Sequence, residues 1–171
     1  ELVGHFHKPV HLTYDQDICA GGDKGIETCG HCISYCPYDA ISRQTENRLR
    51  IQVDHLTCEG CGACVSACPT SALQFTEPSP QEIYARMAAL LESSKEKQGN
   101  VEPPVIVFHC EEMGRKVLET AGEIPLPYSP GVLPVEVPCL RYVSESNMLA
   151  AFSLGAAGVG LLGCENCPNG E

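Results

Sequence analysis

The spacing of four cysteines near the middle of the chain constrains the fold more than any other feature of the sequence. Residues 58–69 read CEGCGACVSACP, in which a fourth cysteine follows three regularly spaced ones and directly precedes Pro69. The four residues are Cys58, Cys61, Cys64 and Cys68. Three thiols in one tight loop can face a common centre, whereas the fourth is carried away by the next turn of the chain. The motif therefore predicts a metal–sulfur site that shares ligands with another motif.

That motif precedes it, in residues 19–37, CAGGDKGIETCGHCISYCP, and an internal alignment identifies it. We call residues 19–37 the first motif and residues 58–69 the second motif. The segment that starts at Cys29 superposes on the one that starts at Cys61 at an offset of 32. The segment that ends at Cys19 superposes on the one that ends at Cys58 at an offset of 39, so seven residues are inserted in one place. Because the entropy cost of closing a loop grows slowly with its length, we expect a working site with an enlarged loop.

The trailing x3-Cys-Pro is typical of 4Fe-4S sites of the bacterial ferredoxin type, in which the fourth cysteine binds the other cluster. The predicted ligand sets are therefore crossed: Cys19, Cys29, Cys32 and Cys68 for one cluster, and Cys58, Cys61, Cys64 and Cys36 for the other. Zinc sites or disulfides built from the C-x2-C pairs are the alternative, although zinc ribbons lack the trailing cysteine and proline. The first half thus resembles two-cluster bacterial ferredoxins with an elongated first loop.

The first half contains few large apolar side chains, so bound metal would supply its core and much of its folding free energy. Strand-like runs at Leu12–Tyr14, Arg50–Val53 and Leu73–Phe75 predict hairpins, with a helical turn after each Cys-Pro. We therefore predict that residues 1–78 form an α+β, ferredoxin-like domain with two 4Fe-4S clusters.

Residues 79–104 are predicted to be a helix followed by a linker. Ser79 and Glu82 have the spacing of a capping box, with Pro80 at the first helical position. One face of the helix is apolar, and it comprises Ile83, Met87, Leu90 and Leu91. The pair Pro103-Pro104 marks the boundary with the second half.

The second half, residues 105–171, alternates between short apolar runs and helical segments. The runs are residues 105–110, 132–139 and 159–164, with helices over 111–122 and from Ser144 to about residue 154. This alternation predicts a small α/β domain with a parallel sheet. The chain ends soon after the last cysteine, which is typical of a fragment.

Each apolar run of the second half ends in a cysteine. The carboxyl ends of parallel strands meet at one edge of a sheet, where sites commonly form. The cysteines expected there are Cys110, Cys139, Cys164 and Cys167. Four thiolates suit a 2Fe-2S cluster or a zinc ion, and inert buried cysteines without metal are a further alternative.

The segments VIVFHCEE and VEVPCLRYVSESNMLAAFSLGAAGVGLLGCENC resemble the iron–sulfur delta subunit of methyl-viologen-reducing hydrogenase, over roughly residues 104–167. The resemblance implies a 2Fe-2S cluster held by the four cysteines of the second half. It also implies electron transfer between a hydrogenase or dehydrogenase subunit and a flavoprotein of the heterodisulfide reductase type.

Charge and motifs exclude several other functions. The chain has 22 acidic and 11 basic side chains, and its net charge of −11 argues against nucleic acid or an anionic membrane surface as a partner. The longest weakly polar stretch, residues 148–164, is too short and too rich in glycine for a membrane helix. Because the sequence contains no P-loop, dinucleotide fingerprint or recognisable catalytic triad, we expect no catalytic site of its own.

Taken together, these patterns predict a cytoplasmic electron-transfer subunit, or a fragment of one, in a larger oxidoreductase complex. Two 4Fe-4S clusters and a 2Fe-2S cluster would relay single electrons between a hydrogenase-type or dehydrogenase-type module and a flavoprotein module. The alternatives are a redox or metal sensor with a zinc-based or thiol-based second domain, and a ferredoxin that acts alone.

Overall fold

The chain forms two units, Glu1–Glu77 and Pro78–Glu171. A computed structural model describes residues 4, 7–21, 29–96, 102–124, 128–163 and 167. No helix within these ranges is both long enough and apolar enough to cross a membrane.

The first unit contains four strands of three residues and two helical turns of four residues. They are β1 (Leu12–Tyr14), α1 (His31–Ser34), β2 (Ile41–Arg43), β3 (Ile51–Val53), α2 (Ala63–Ser66) and β4 (Leu73–Phe75). Strand β1 pairs antiparallel with β4, and β2 pairs antiparallel with β3. The second three elements repeat the first three at the offsets seen in the sequence: 39 from β1 to β3, and 32 from α1 to α2 and from β2 to β4.

Three local predictions for the first unit were wrong. The helical turns precede Cys36 and Cys68 instead of following each Cys-Pro, because a proline disfavours the α conformation in the residue before it and so ends the helix. Strands β2 and β3 form a hairpin, but β1 pairs with the last strand of the unit and so belongs to no hairpin. Strand β2 was not predicted, and β3 begins at Ile51 instead of Arg50.

The core of the first unit is small and combines large apolar side chains with cysteines. Among the described residues, the large apolar side chains buried there are Leu12, Ile41, Ile51, Leu73 and Phe75. Three cysteines, Cys58, Cys61 and Cys64, are buried beside them. A core of this size leaves room for a further source of stability, such as bound metal.

The second unit is a three-stranded parallel sheet with helices. Its elements are α3 (Pro80–Glu96), β5 (Val105–Cys110), α4 (Met113–Glu123), β6 (Val132–Val137), a 3-10 helix (Leu140–Tyr142), α5 (Glu145–Ser153) and β7 (Gly158–Leu162). Strand β5 lies in the centre and pairs in parallel with β6 on one side and β7 on the other. The predicted α/β architecture with a parallel sheet is confirmed for this part of the chain.

Two helices of the second unit begin where side-chain capping predicts. The backbone N–H of Ser79 donates to Glu82 Oε2 over 2.6 Å, and the backbone N–H of Glu82 donates to Ser79 Oγ over 3.3 Å. The apolar face of α3 is buried against β6 and α5 through Ile83, Met87 and Leu91. Ser144 caps α5 in the same way, with Asn147 as its partner.

Candidate metal centres

An aspartate turns the chain toward the first cysteine of each motif. Asp15 Oδ1 accepts a hydrogen bond from the backbone N–H of Asp17 over 2.9 Å, and Asp54 Oδ1 accepts one from the backbone N–H of Leu56 over the same distance. Such a turn redirects the chain just after a strand. It explains the apolar-Asp-x3-Cys pattern that precedes both Cys19 and Cys58.

The two ends of the inserted segment lie next to each other. A Cβ atom built on buried Gly21 would lie 3.2 Å from the carbonyl oxygen of Cys29. The chain therefore leaves and re-enters this region at neighbouring points, although residues 22–28 themselves lie outside the described ranges. In the second motif, Gly60 occupies the place of Gly21 and has a positive φ of 64°, which favours glycine.

A cavity lies within the first unit, and four cysteines line it. They are Cys36, Cys58, Cys61 and Cys64. Apolar side chains, among them Leu12 and Ile41, form part of its wall, and both are buried. Three of these cysteines come from the second motif and one from the first.

The third cysteine of each motif, Cys32 and Cys64, has a raised pKa, and a different group of neighbouring cysteines contributes to each shift. The pKa of Cys32 is raised to about 11, first by burial and then by the charges of Cys29, Cys68 and Cys19. The pKa of Cys64 is raised to about 12, again first by burial and then by the charges of Cys61, Cys58 and Cys36, with Cys32 contributing least. The neighbouring charges that raise each pKa most therefore come from two cysteines of the same motif and from the last cysteine of the other motif.

Backbone N–H groups point at the last cysteine of each motif. The N–H of Ala40 donates to Cys36 Sγ over 3.3 Å, and the residue before it, Asp39, has a positive φ of 52°. Ser71 repeats this conformation in the second motif, with a φ of 57°. Burial raises the pKa of Cys68, but the backbone N–H groups of Leu73, Thr70 and Ala72 and the Thr70 hydroxyl outweigh it, so this pKa is lowered.

The Tyr14 hydroxyl lies beside the first motif, and sequence reasoning did not identify it. Its oxygen is buried and has no hydrogen-bond partner of normal geometry among the described residues. Burial raises the pKa of Tyr14 to about 12, and the neighbouring Cys19 and Cys32 raise it as well. The signal was present in the internal alignment, because Val53 holds the equivalent place ahead of the second motif and carries no polar group.

In the second unit, cysteines lie at the carboxyl edge of the sheet. Cys110 is the last residue of β5 and is paired in register with Val137, the last residue of β6; Cys139 follows two residues later and is buried. The backbone N–H of Gly114 donates to Cys110 Sγ over 3.2 Å. Strand β7 is parallel to β5 and ends at Leu162, so the chain leaves it at the same edge.

The remaining two cysteines of the predicted third site are less fully described. Cys164 lies outside the described residues, and Cys167 is half-buried. Among the described residues of the chain, no three His, Cys, Asp or Glu side chains converge in a geometry that would hold a single metal ion.

Comparison with known families gives two matches. Residues 105–170 match the model of the methyl-viologen-reducing hydrogenase delta subunit, and residues 26–72 match the 4Fe-4S dicluster domain. The second match begins after Cys19, so that cysteine is not part of it. No curated protein and no solved structure matches the chain.

These matches support bound 4Fe-4S clusters and an electron-transfer role for the chain, with redox proteins as partners. Both matched domains are of iron–sulfur or accessory-subunit type. The resemblance predicted from the sequence is confirmed: a 4Fe-4S dicluster ferredoxin domain is followed by a domain of the methyl-viologen-reducing hydrogenase delta subunit.

Proposed function

We propose that the chain is an electron-transfer subunit, or a fragment of one, of a larger oxidoreductase complex. In this proposal it connects a hydrogenase-type or dehydrogenase-type module to a flavoprotein module of the heterodisulfide reductase type. When bound, two 4Fe-4S clusters and one 2Fe-2S cluster would supply single-electron transfer. The chain would contribute ligands, shielding from water and control of potential, without a catalytic site of its own.

The grouping of the thiols carries the proposal for the first domain. Cys32 interacts with Cys29, Cys19 and the distant Cys68, which is the composition predicted for one crossed ligand set. The second set lines one cavity and comprises Cys58, Cys61, Cys64 and Cys36. Neither group follows from sequence proximity alone, and both fit two clusters with exchanged fourth ligands.

The surroundings of these thiols fit a bound iron–sulfur cluster. Burial, and after it the charges of neighbouring thiols, raise the pKa of Cys32 and Cys64, and a positively charged metal centre would offset this penalty by binding the thiolates. N–H donors to Cys36 and Cys68 stabilise negative charge on sulfur, which is how protein surroundings adjust cluster potentials. Zinc would require a tighter arrangement of four thiols around one ion.

For the second domain we propose a 2Fe-2S cluster bound by Cys110, Cys139, Cys164 and Cys167. The parallel sheet supports this proposal, because Cys110 and Cys139 lie at one edge and the chain leaves β7 there on its way to Cys164. The match to the hydrogenase delta subunit covers all four cysteines. Zinc and an unmetallated thiol site are the alternatives.

We propose domain boundaries at residues 1–78 for the ferredoxin domain, 79–104 for the helix and linker, and 105–171 for the second domain. Helix α3 packs on β6 and α5, which supports its role as a fixed element of the second domain beside the linker. We also propose a cytoplasmic location, because thiolate-bound clusters require reducing conditions.

A potentiometric titration monitored by electron paramagnetic resonance tests this function. Protein purified without oxygen is expected to take up electrons in one-electron steps, with a Nernst slope of about 59 mV per tenfold change. A step with a slope of about 30 mV would instead indicate a dithiol–disulfide couple and favour the redox sensor. Reoxidation of the reduced chain by a heterodisulfide reductase flavoprotein would distinguish a specific subunit from a general ferredoxin.

A further inference from the structure

Arg43 joins three separate segments of the first unit. It is the last residue of β2, and its Nη2 donates to the carbonyl oxygen of Cys29. Its Nη1 donates to the carbonyl oxygen of Leu49 over 3.5 Å. A guanidinium is a planar fork of five N–H donors, so it can hold two carbonyl groups from different segments in a fixed relation.

The same guanidinium lies against the other end of the inserted segment. A Cβ atom on Gly21 would lie 3.2 Å from Arg43 Nη1, and one on Gly30 would lie 3.7 Å from Arg43 Nη2. The chain just after Cys19 and the chain at Cys29 therefore meet at one side chain. Gly21 leaves room for this approach, because a Cβ atom there would be closer to nitrogen than an ordinary contact.

The equivalent place in the second motif has a different side chain. The offset of 32 puts Phe75 where Arg43 lies, and its ring packs on the ring of His11 with centroids 5.9 Å apart. His11 in turn covers the short loop, since a Cβ atom on Gly60 would lie 2.9 Å from its ring. A ring pair thus covers the short loop, whereas a guanidinium holds the ends of the long one.

A basic side chain lies beside each motif. Lys8 reaches the second motif and forms an ion pair with Glu59 over 2.7 Å. Arg43 is half-buried, and its guanidinium donates to the carbonyl group of Cys29 in the first motif and to that of Leu49. Because a half-buried charge is less screened by water than an exposed one, it stabilises an added negative charge nearby.

We infer that Arg43 is a positioning residue of the interrupted site, with two effects. It holds the chain after Cys19 beside Cys29, so that both thiols reach one cluster together with Cys32 and Cys68. Its positive charge raises the reduction potential of that cluster and leaves the other cluster unaffected. The inference rests on the proposed function, since it requires two clusters in the first domain.

Four forms of the full chain, purified without oxygen, test this inference: wild type, Arg43→Met, Arg43→Lys and the control Arg48→Met. Arg48 lies in the turn between β2 and β3 and is exposed, so its replacement removes the same charge from the same hairpin. Two quantities are measured: the rate of iron loss to a chelator, and the reduction potential of each cluster by electron paramagnetic resonance.

Arg43→Met is expected to release about half of the ferredoxin-domain iron roughly tenfold faster than wild type. Removing a side chain that positions metal ligands commonly lowers metal affinity by about tenfold or more. In molecules that still hold the cluster bound by Cys19 and Cys29, that cluster should have a lower reduction potential than in wild type. The reduction potential of the other cluster should be unchanged. Arg43→Lys should restore the potential, because it keeps the charge, but not the retention of iron, because it lacks the fork. Arg48→Met should behave as wild type.

Two results would overturn the inference while leaving the proposed function intact. In the first, wild type holds two 4Fe-4S clusters but Arg43→Met matches Arg48→Met in both measurements. In the second, Arg43→Met destabilises both clusters equally, which is the behaviour of a general folding defect. If wild type itself holds only one 4Fe-4S cluster, the proposed function fails, and the inference about Arg43 fails with it.

Discussion

Gly21 and Cys29 are eight positions apart in the sequence, yet a Cβ atom on Gly21 would lie 3.2 Å from the carbonyl oxygen of Cys29. The two positions that flank residues 22–28 therefore lie next to each other. This relationship explains how a motif interrupted between Cys19 and Cys29 can still present its thiols to one site.

Deleting residues 22–28 is expected to preserve both predicted 4Fe-4S sites. The deletion leaves Cys19-Ala20-Gly21-Cys29, which has the C-x2-C spacing of the second motif. Because the two ends already meet, the shortened chain needs only a small rearrangement, and iron analysis should show an unchanged iron content. Loss of about four irons, the content of one cluster, would show that the enlarged loop is needed for the site.

Crossed ligation predicts opposite results for two double variants. Cys32→Ala with Cys68→Ala removes two ligands from one cluster and should cost about four irons per chain. Cys64→Ala with Cys68→Ala removes one ligand from each cluster and should weaken both.

The resonance signal of the surviving cluster in the first double variant shows that the domain still folds. If each motif instead held its own cluster, the pattern would reverse. The variant lacking Cys64 and Cys68 would then lose a single cluster, and the one lacking Cys32 and Cys68 would lose iron from both.

Tyr14→Phe should lower the reduction potential of the cluster bound by Cys19 without reducing the iron content. The buried hydroxyl has no partner of normal geometry among the described residues, and Cys19 is its neighbour. A hydrogen bond from this hydroxyl to the ligand sulfur would stabilise the reduced state, so its removal favours the oxidised state. Tyr35→Phe is the control, because Tyr35 is exposed; equal potentials in both variants would exclude a role for the Tyr14 hydroxyl.

The ion pair between Arg115 and Glu136 predicts a pH-dependent contribution to the stability of the second domain. Arg115 Nε donates to Glu136 Oε2 over 2.6 Å, which connects α4 to β6. This hydrogen bond holds the pKa of Glu136 below its usual value, although burial opposes the shift. A depressed carboxyl pKa stabilises the fold above the pKa of the unfolded chain, and this contribution disappears as the pH falls through the folded value.

Glu136→Gln should therefore lower the free energy of unfolding slightly near neutral pH and have no effect in acid. Urea unfolding followed by circular dichroism at several pH values measures this difference. Glu123→Gln, an exposed carboxylate on the same helix as Arg115, is the control. A difference from wild type that stays constant with pH would contradict the ion-pair explanation.

The sequence predicts much of the site because cluster geometry limits how cysteines can be spaced along a chain. The parallel sheet was predictable from a regular pattern as well, since apolar runs alternate with helical segments, of which α5 begins at its Ser144 cap. The pairing of β1 with β4 was not predicted, because it depends on contacts between distant parts of the chain. The roles of Arg43 and Tyr14 were not predicted for the same reason, because their neighbours are distant in the sequence and become known only from the paired strands.

Iron and zinc per chain, determined on protein purified without oxygen, count the clusters that the chain binds. We expect about ten irons and no zinc, which corresponds to two 4Fe-4S clusters and one 2Fe-2S cluster. About eight irons would fit a working interrupted site but make the second domain a zinc or thiol domain. About four irons would show that the proposal is wrong, because the motif that contains Cys19 and Cys29 would then hold no cluster.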